Sequence, residues 1–211
     1  MPLLLVRQQH FRSMGMLMGF MSFIVIIGGF FLLVMVLYNR LVAKQNQVKN
    51  AFSQIDVQLQ RRHDLIPTLV ETARGYLKHE QETLTRVIEA RNQAVSLQRA
   101  ITDGTDSAAA VDALAQAERQ LSGWLSKLMA VVEQYPDLKA DKIMQQLMEE
   151  LTTTENRIGF ARQTYNDDVM FYNNACQMFP SNLVAGAFSF KPRRQLVLDE
   201  LKIRQAPAIS F

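Results

Sequence analysis

The side chains able to do chemistry are few. The histidines are His10, His63 and His79, and the one cysteine is Cys176. A zinc-type site on a helix wants ligands three or four residues apart, and a redox pair wants a second thiol. Neither spacing occurs, so no metal site is expected. Glu149-Glu150 and Asp167-Asp168 are carboxylate pairs of the kind used in acid-base or metal chemistry. Neighbours on a helix point about 100° apart, however, so neither pair converges on one substrate and both read as solvated faces. No glycine-rich loop is present to cradle phosphate, and Gly104 stands alone in its turn. These residues give no catalytic constellation and call for no cofactor. The expected class is non-enzymatic. Arg61-Arg62-His63-Asp64 is the remaining cluster, read as surface residues around a bend; Arg61 and Arg62 are the candidates for contact with lipid or a partner.

The elements that must position these residues begin with Met14 to Leu37, about 24 residues without a charge, in which Ser22 is the only side chain more polar than Met. As a helix this stretch spans roughly 36 Å, enough to cross a hydrocarbon core of about 30 Å. It runs into Leu37-Tyr38-Asn39-Arg40 without a small-x-small cleavage site, so it reads as an uncleaved transmembrane helix. Residues 1–13 form a short segment before it, with Leu3, Leu4, Leu5 and Phe11 placed to sit among headgroups. Gly15 and Gly19 make a GxxxG, the spacing that lets a second helix approach, and are the candidate residues for helix-helix association.

Behind the span, Leu41, Val48, Phe52, Ile55 and Leu59 recur at helical spacing, so the membrane helix is expected to continue out of the bilayer. Pro67 lacks an N–H and clashes with the carbonyl of His63, which predicts a bend or break there, with Asp64 capping a restart. Leu84, Val87, Ile88, Arg91 and Val95 set the next stripe. Residues 101–107 form a loop, with Asp106 or Ser107 as the following N-cap. A third helix is predicted from Ala108 to Tyr135. The fourth runs from Asp137 to Phe179, where Ile143, Leu147, Leu151, Thr154, Ile158, Ala161, Tyr165, Val169, Tyr172, Cys176 and Phe179 advance ten steps in 36 residues. Trp124, Tyr135, Tyr165, Tyr172 and Cys176 fit that core or its border. A short element over Ser181 to Phe190 is expected to pack Leu183, Val184, Phe188 and Phe190 on the bundle end. Residues 191–211 form a tail, with Leu196, Leu198, Leu201 and Ile203 as docking residues.

The fold class is therefore all-α: an N-terminal transmembrane helix continuing into an antiparallel bundle of about four long helices, with the bundle over residues 38–190. Charge excludes a nucleic-acid partner. The formal +3 comprises 23 basic and 20 acidic residues, and setting aside Arg7 and Arg12 before the span leaves 21 against 20. That is no one-sided basic face. Basic residues on the two sides of the span favour a short external N-terminus and an internal C-terminal domain.

Several strings carry a family resemblance: YNRLVAKQNQVKNAFSQIDVQLQRRHDLIPTLVETARGY from Tyr38, His79-Glu80, VEQYPDLKA from Val131, LTTTENRIGFARQTYN from Leu151, VMFYNN from Val169 and FPSNLVAGAFSF from Phe179. The chain resembles the LemA family of bacterial membrane proteins. The resemblance implies an N-terminal anchor, a short external N-terminus and a cytoplasmic bundle of long antiparallel helices, and brings no catalytic residue or cofactor. At Arg194 to Glu200 the sequence departs from the aromatic string usual in the family. The expected role is a scaffold at the bacterial inner membrane whose partners are the lipid bilayer and further copies of itself; the alternative is a monomeric adaptor for a cytoplasmic or envelope protein.

Overall fold

The computed structural model describes residues 2–102 and 107–196, and the side chains of residues 2–17 and 19 lie outside that description. Among the described residues six helices follow in order: α1 (Pro2–Arg74), α2 (Gln81–Thr102), α3 (Ala108–Val132), α4 (Pro136–Ala140), α5 (Lys142–Gln177) and α6 (Ser181–Ala187). Two compact units divide the chain. The first comprises Met1–Gln45 with Asn174–Lys191, the second Asn46–Asn173 with Pro192–Phe211.

In the second unit the helical stripes meet as a bundle. Its core joins Ile66, Leu69, Val70 and Ala73 of α1, Leu84, Val87 and Ala94 of α2, Leu121, Leu125 and Leu128 of α3, and Met144, Leu147 and Leu151 of α5. Paired contacts give the directions. Arg91 meets His63 and Gln98 meets Asp56, so α2 runs against α1. Glu155 meets Arg62 and Tyr165 meets Phe52, so α5 also runs against α1. The small side chains of Ala90 and Ala94, rather than Val95, complete the buried face of α2.

Helix ends follow side-chain capping. Ser107 caps α3, its Oγ accepting the amide of Ala110 at 3.2 Å. The fourth long helix does not begin at Asp137. Asp141 leaves the helical conformation and its Oδ1 accepts the amide of Met144 at 3.0 Å, which separates short α4 from α5. This new start puts Met144 in the core and leaves Ile143 exposed. At the other end α5 stops at Gln177, so Phe179 falls out of the helical phase and is 79% exposed.

The expected break at Pro67 does not occur. α1 passes through it. The carbonyl that Pro67 cannot satisfy belongs to His63, and the Nε of Arg91 donates to it at 3.1 Å. Asp64, expected as a cap, instead accepts from Gln60 Nε2 within the continuous helix.

In the first unit α1 carries a window long and apolar enough to cross a membrane, and none of that window is buried. α6 closes with the hydrogen bonds of a Schellman motif: Phe190 N–H donates to Ala185 C=O at 2.9 Å and Ser189 N–H to Gly186 C=O at 3.3 Å. Ser189 takes the positive φ of 59° that this ending needs. The turn brings the Phe190 ring to 5.6 Å from that of Tyr38, and the Phe188 ring lies 4.9 Å from it. A seven-residue helix turns one narrow face inward, and Val184 and Ala185 fill it. Leu183 and Phe188, expected to be packed, are 64% and 54% exposed.

Candidate functional site

Among the described residues, the buried charged side chains lie inside the second unit. Arg62 and His63 sit between Leu59 and Ile66 on the buried stripe of α1, and their side chains are 2% and 0% exposed. Glu118 stands on the stripe of α3 between Leu114 and Leu121, and is also buried. The Arg62 guanidinium pairs through Nη2 with Glu118 and through Nη1 with Glu155 of α5, and Nη1 also donates to Ser122 Oγ at 3.1 Å. His63 Nε2 lies 2.9 Å from Glu118 Oε1. Around this centre Gln98 Nε2 donates to the carbonyl and Oδ1 of Asp56, at 3.1 and 2.8 Å. Arg62 Nε, His63 Nδ1 and Gln98 Oε1 are buried and find no partner among the described residues.

Electrostatics fix the charge states. Burial pulls the pKa of Arg62 down, and the charge of Glu155 together with its hydrogen bond opposes that pull. Two carboxylates against one guanidinium keep it a cation. His63 is pushed down to about 4, by burial first and then by the positive Arg62 and Arg91, against weaker pulls from Gln98 and Asp64. It is therefore neutral at pH 7. Glu118 is already paired with Arg62, so Nε2–H donates to it and Nδ1 carries the lone pair.

Such an arrangement binds helices together and has little means of reaching a substrate. The cavity beside it, lined by Arg62, Glu118, Ser122, Glu155 and Arg162 among others, measures about 40 Å³. That is room for about one water. A larger cavity of about 460 Å³ is lined by Lys49, Phe52, Asp56, Thr102, Tyr165 and Arg194 among others. Among the described residues, no three His, Cys, Asp or Glu side chains gather as metal ligands do.

The residues singled out from sequence fall as follows. Arg61 is on the surface and pairs with Glu150 at 2.5 Å. Arg62 is inside, where its guanidinium meets carboxylates rather than headgroups. Cys176 is buried, and His79 is exposed in the connection between α1 and α2. Gly15 and Gly19 lie within α1, but their surroundings, like the side chain of His10, lie outside the described residues, as do Gly104, Leu198, Leu201 and Ile203. Of the tail residues expected to dock, Leu196 is described and buried, and it exchanges two hydrogen bonds with Asn166, at 2.8 and 3.1 Å. Glu118, Glu155 and Gln98 escaped notice. Two of them carried a signal, because Glu118 and Gln98 occupy apolar stripe positions, where a polar side chain needs a buried partner.

A model of the LemA family matches residues 51–211, which takes in the whole polar cluster. The chain belongs to the LemA family. Among related proteins, Protein LemA of Metamycoplasma hominis is 28% identical, with 77% of this chain and 70% of that protein covered. Magnetosome protein MamQ 2 of Paramagnetospirillum magneticum is 27% identical and Magnetosome protein MamQ of Magnetospirillum gryphiswaldense 25%, each match covering 73% of this chain. This LemA family chain spans 62% of the length of those two magnetosome proteins. None of these relatives is named as an enzyme. Together with the apolar window of α1, they describe a membrane-associated helical protein.

Proposed function

We propose that this LemA family chain is a membrane-anchored, non-enzymatic scaffold of the bacterial inner membrane, which self-associates and so organises or shapes the bilayer. The observation that carries the reading is the apolar window of α1, none of which is buried by the rest of the chain. Such a surface needs lipid or another helix over it. Gly15 and Gly19 are the residues proposed to bring two α1 helices together, with the N-terminus outside and the second unit cytoplasmic.

Full-length protein reconstituted in lipid at falling protein-to-lipid ratios, with subunits counted by stepwise photobleaching, tests this directly. Oligomers should persist on dilution. The pair Gly15→Ile and Gly19→Ile should reduce them to monomers while helical content stays unchanged. A wild-type protein that is monomeric throughout would overturn the reading. Phe160 of α5, 73% exposed, favours a second reading in which the chain is an adaptor for another protein. Crosslinking in cells separates the two: self-adducts dominate for the scaffold, and a single foreign adduct that is lost in Phe160→Ala marks the adaptor.

A further inference from the structure

The first unit exposes a group of large apolar side chains where α5 gives way to α6. Met178 is 63% exposed, Phe179 79%, Leu183 64% and Phe188 54%, while Val184 and Ala185 face inward. Four such side chains within eleven residues are more than a lone surface hydrophobe, and a surface of this kind marks an interaction site. Two observations identify what covers it. Tyr38 follows the last residue of the apolar span, and its ring centre lies 4.9 Å from that of Phe188, tilted against it, and 5.6 Å from that of Phe190, edge-on. α6 is thereby tied to the helix at the level where the span ends. The second observation is charge. Met1–Gln45 and Asn174–Lys191 contain Arg40 and Lys44, just after the apolar span, and Lys191, just after Phe190, and not one Asp or Glu.

We infer that α6 and the α5–α6 turn form an interfacial platform that lies in the headgroup region of an anionic bilayer, with Phe179 and Leu183 inserted at the acyl boundary. Tyr38 supplies the amphipathic ring expected at that depth. Short apolar elements bury about 5–10 Å into this zone, and basic residues beside them hold the phosphates. The inference rests on the anchor reading of α1.

The test uses full-length protein with Trp124→Phe as background, in vesicles of phosphatidylcholine and phosphatidylglycerol with or without shallow-brominated acyl chains. A reporter tryptophan is placed in turn by Phe179→Trp, Leu183→Trp and Phe30→Trp, the last lying within the span. The first two should emit at shorter wavelength than in water and lose about twofold or more of their emission to bromine. Quenching of Phe30→Trp without quenching at 179 and 183 would overturn the platform and leave the anchor standing. Loss of quenching at all three would overturn both. Blue-shifted emission at 179 and 183 that bromine does not quench would assign the patch to a protein contact and also overturn the inference.

Discussion

Arg62 shows what a single side chain can decide in this chain. It is buried against two carboxylates, so removing Arg62 leaves the buried Glu118 without its cation, and removing Glu118 leaves the buried guanidinium with only the half-exposed Glu155. Arg62→Ala or Glu118→Ala should cost about 3–5 kcal/mol, while Arg62→Met combined with Glu118→Leu should recover most of that loss, as measured by denaturant unfolding. A neutral buried imidazole sets a second expectation. His63 has a folded pKa of about 4 against an unfolded value near 6.5, so between those values the unfolded chain binds the extra proton. Stability from this residue is complete above about pH 6.5 and is lost as the pH falls toward 4. From pH 7.5 to pH 5 the loss should be about 2 kcal/mol, and it should be absent in His63→Gln. Sequence alone placed these residues on the surface because charged side chains in a basic run are normally solvated. What it lacked was the partner, since Glu118 and Glu155 are 56 and 93 residues away from Arg62 along the chain.

At the scale of elements, the continuity of α1 through Pro67 depends on a neighbouring helix. The His63 carbonyl has lost its own-helix donor and gained the Arg91 side chain. Arg91→Met should therefore cost about 1 kcal/mol in the native background and less in Pro67→Ala, where the backbone N–H returns; a double-mutant cycle should show coupling of about 1 kcal/mol between the two sites. This is also where the sequence reading failed in an instructive way. Period and apolar face located every long helix, because burial along a stripe is a property of the local sequence. The break at Pro67 was expected because proline's local cost is plain, whereas the donor that offsets it arrives from α2. Asp141 erred in the opposite sense. Its capping bond to Met144 is local and could have been read from the sequence, yet an unbroken 3.6-residue stripe from Ile143 masked the boundary.

On the scale of the whole molecule, the family match begins at residue 51 and covers the second unit's helices, so membership of the LemA family and the apolar window of α1 are separate observations that agree. The proposed orientation has a direct consequence for protease access. Trypsin added to sealed inside-out vesicles should digest the region from Lys49 to Arg194, and added to right-side-out vesicles should leave it intact; immunoblotting with an antibody to the second unit reads both. The fold class was legible from sequence because four amphipathic stripes and one wholly apolar stretch leave few alternatives. The exposed face of α6 was not legible, because which side of a seven-residue helix meets its neighbours is set by the turn at Ser189 and the rings gathered around Tyr38.

The distribution of ionisable groups has one more consequence. All 20 acidic residues fall in the second unit, whereas the ionised side chains of the first are Arg7, Arg12, Arg40, Lys44 and Lys191, in stretches of sequence without Asp or Glu. Acid of about pH 4 or below protonates carboxylates and leaves arginine and lysine as they are. Every side-chain carboxylate able to take up such a proton therefore lies in the second unit. The chain is electrically partitioned: acid removes negative charge from the side chains of the second unit alone, and those of the first have none to lose.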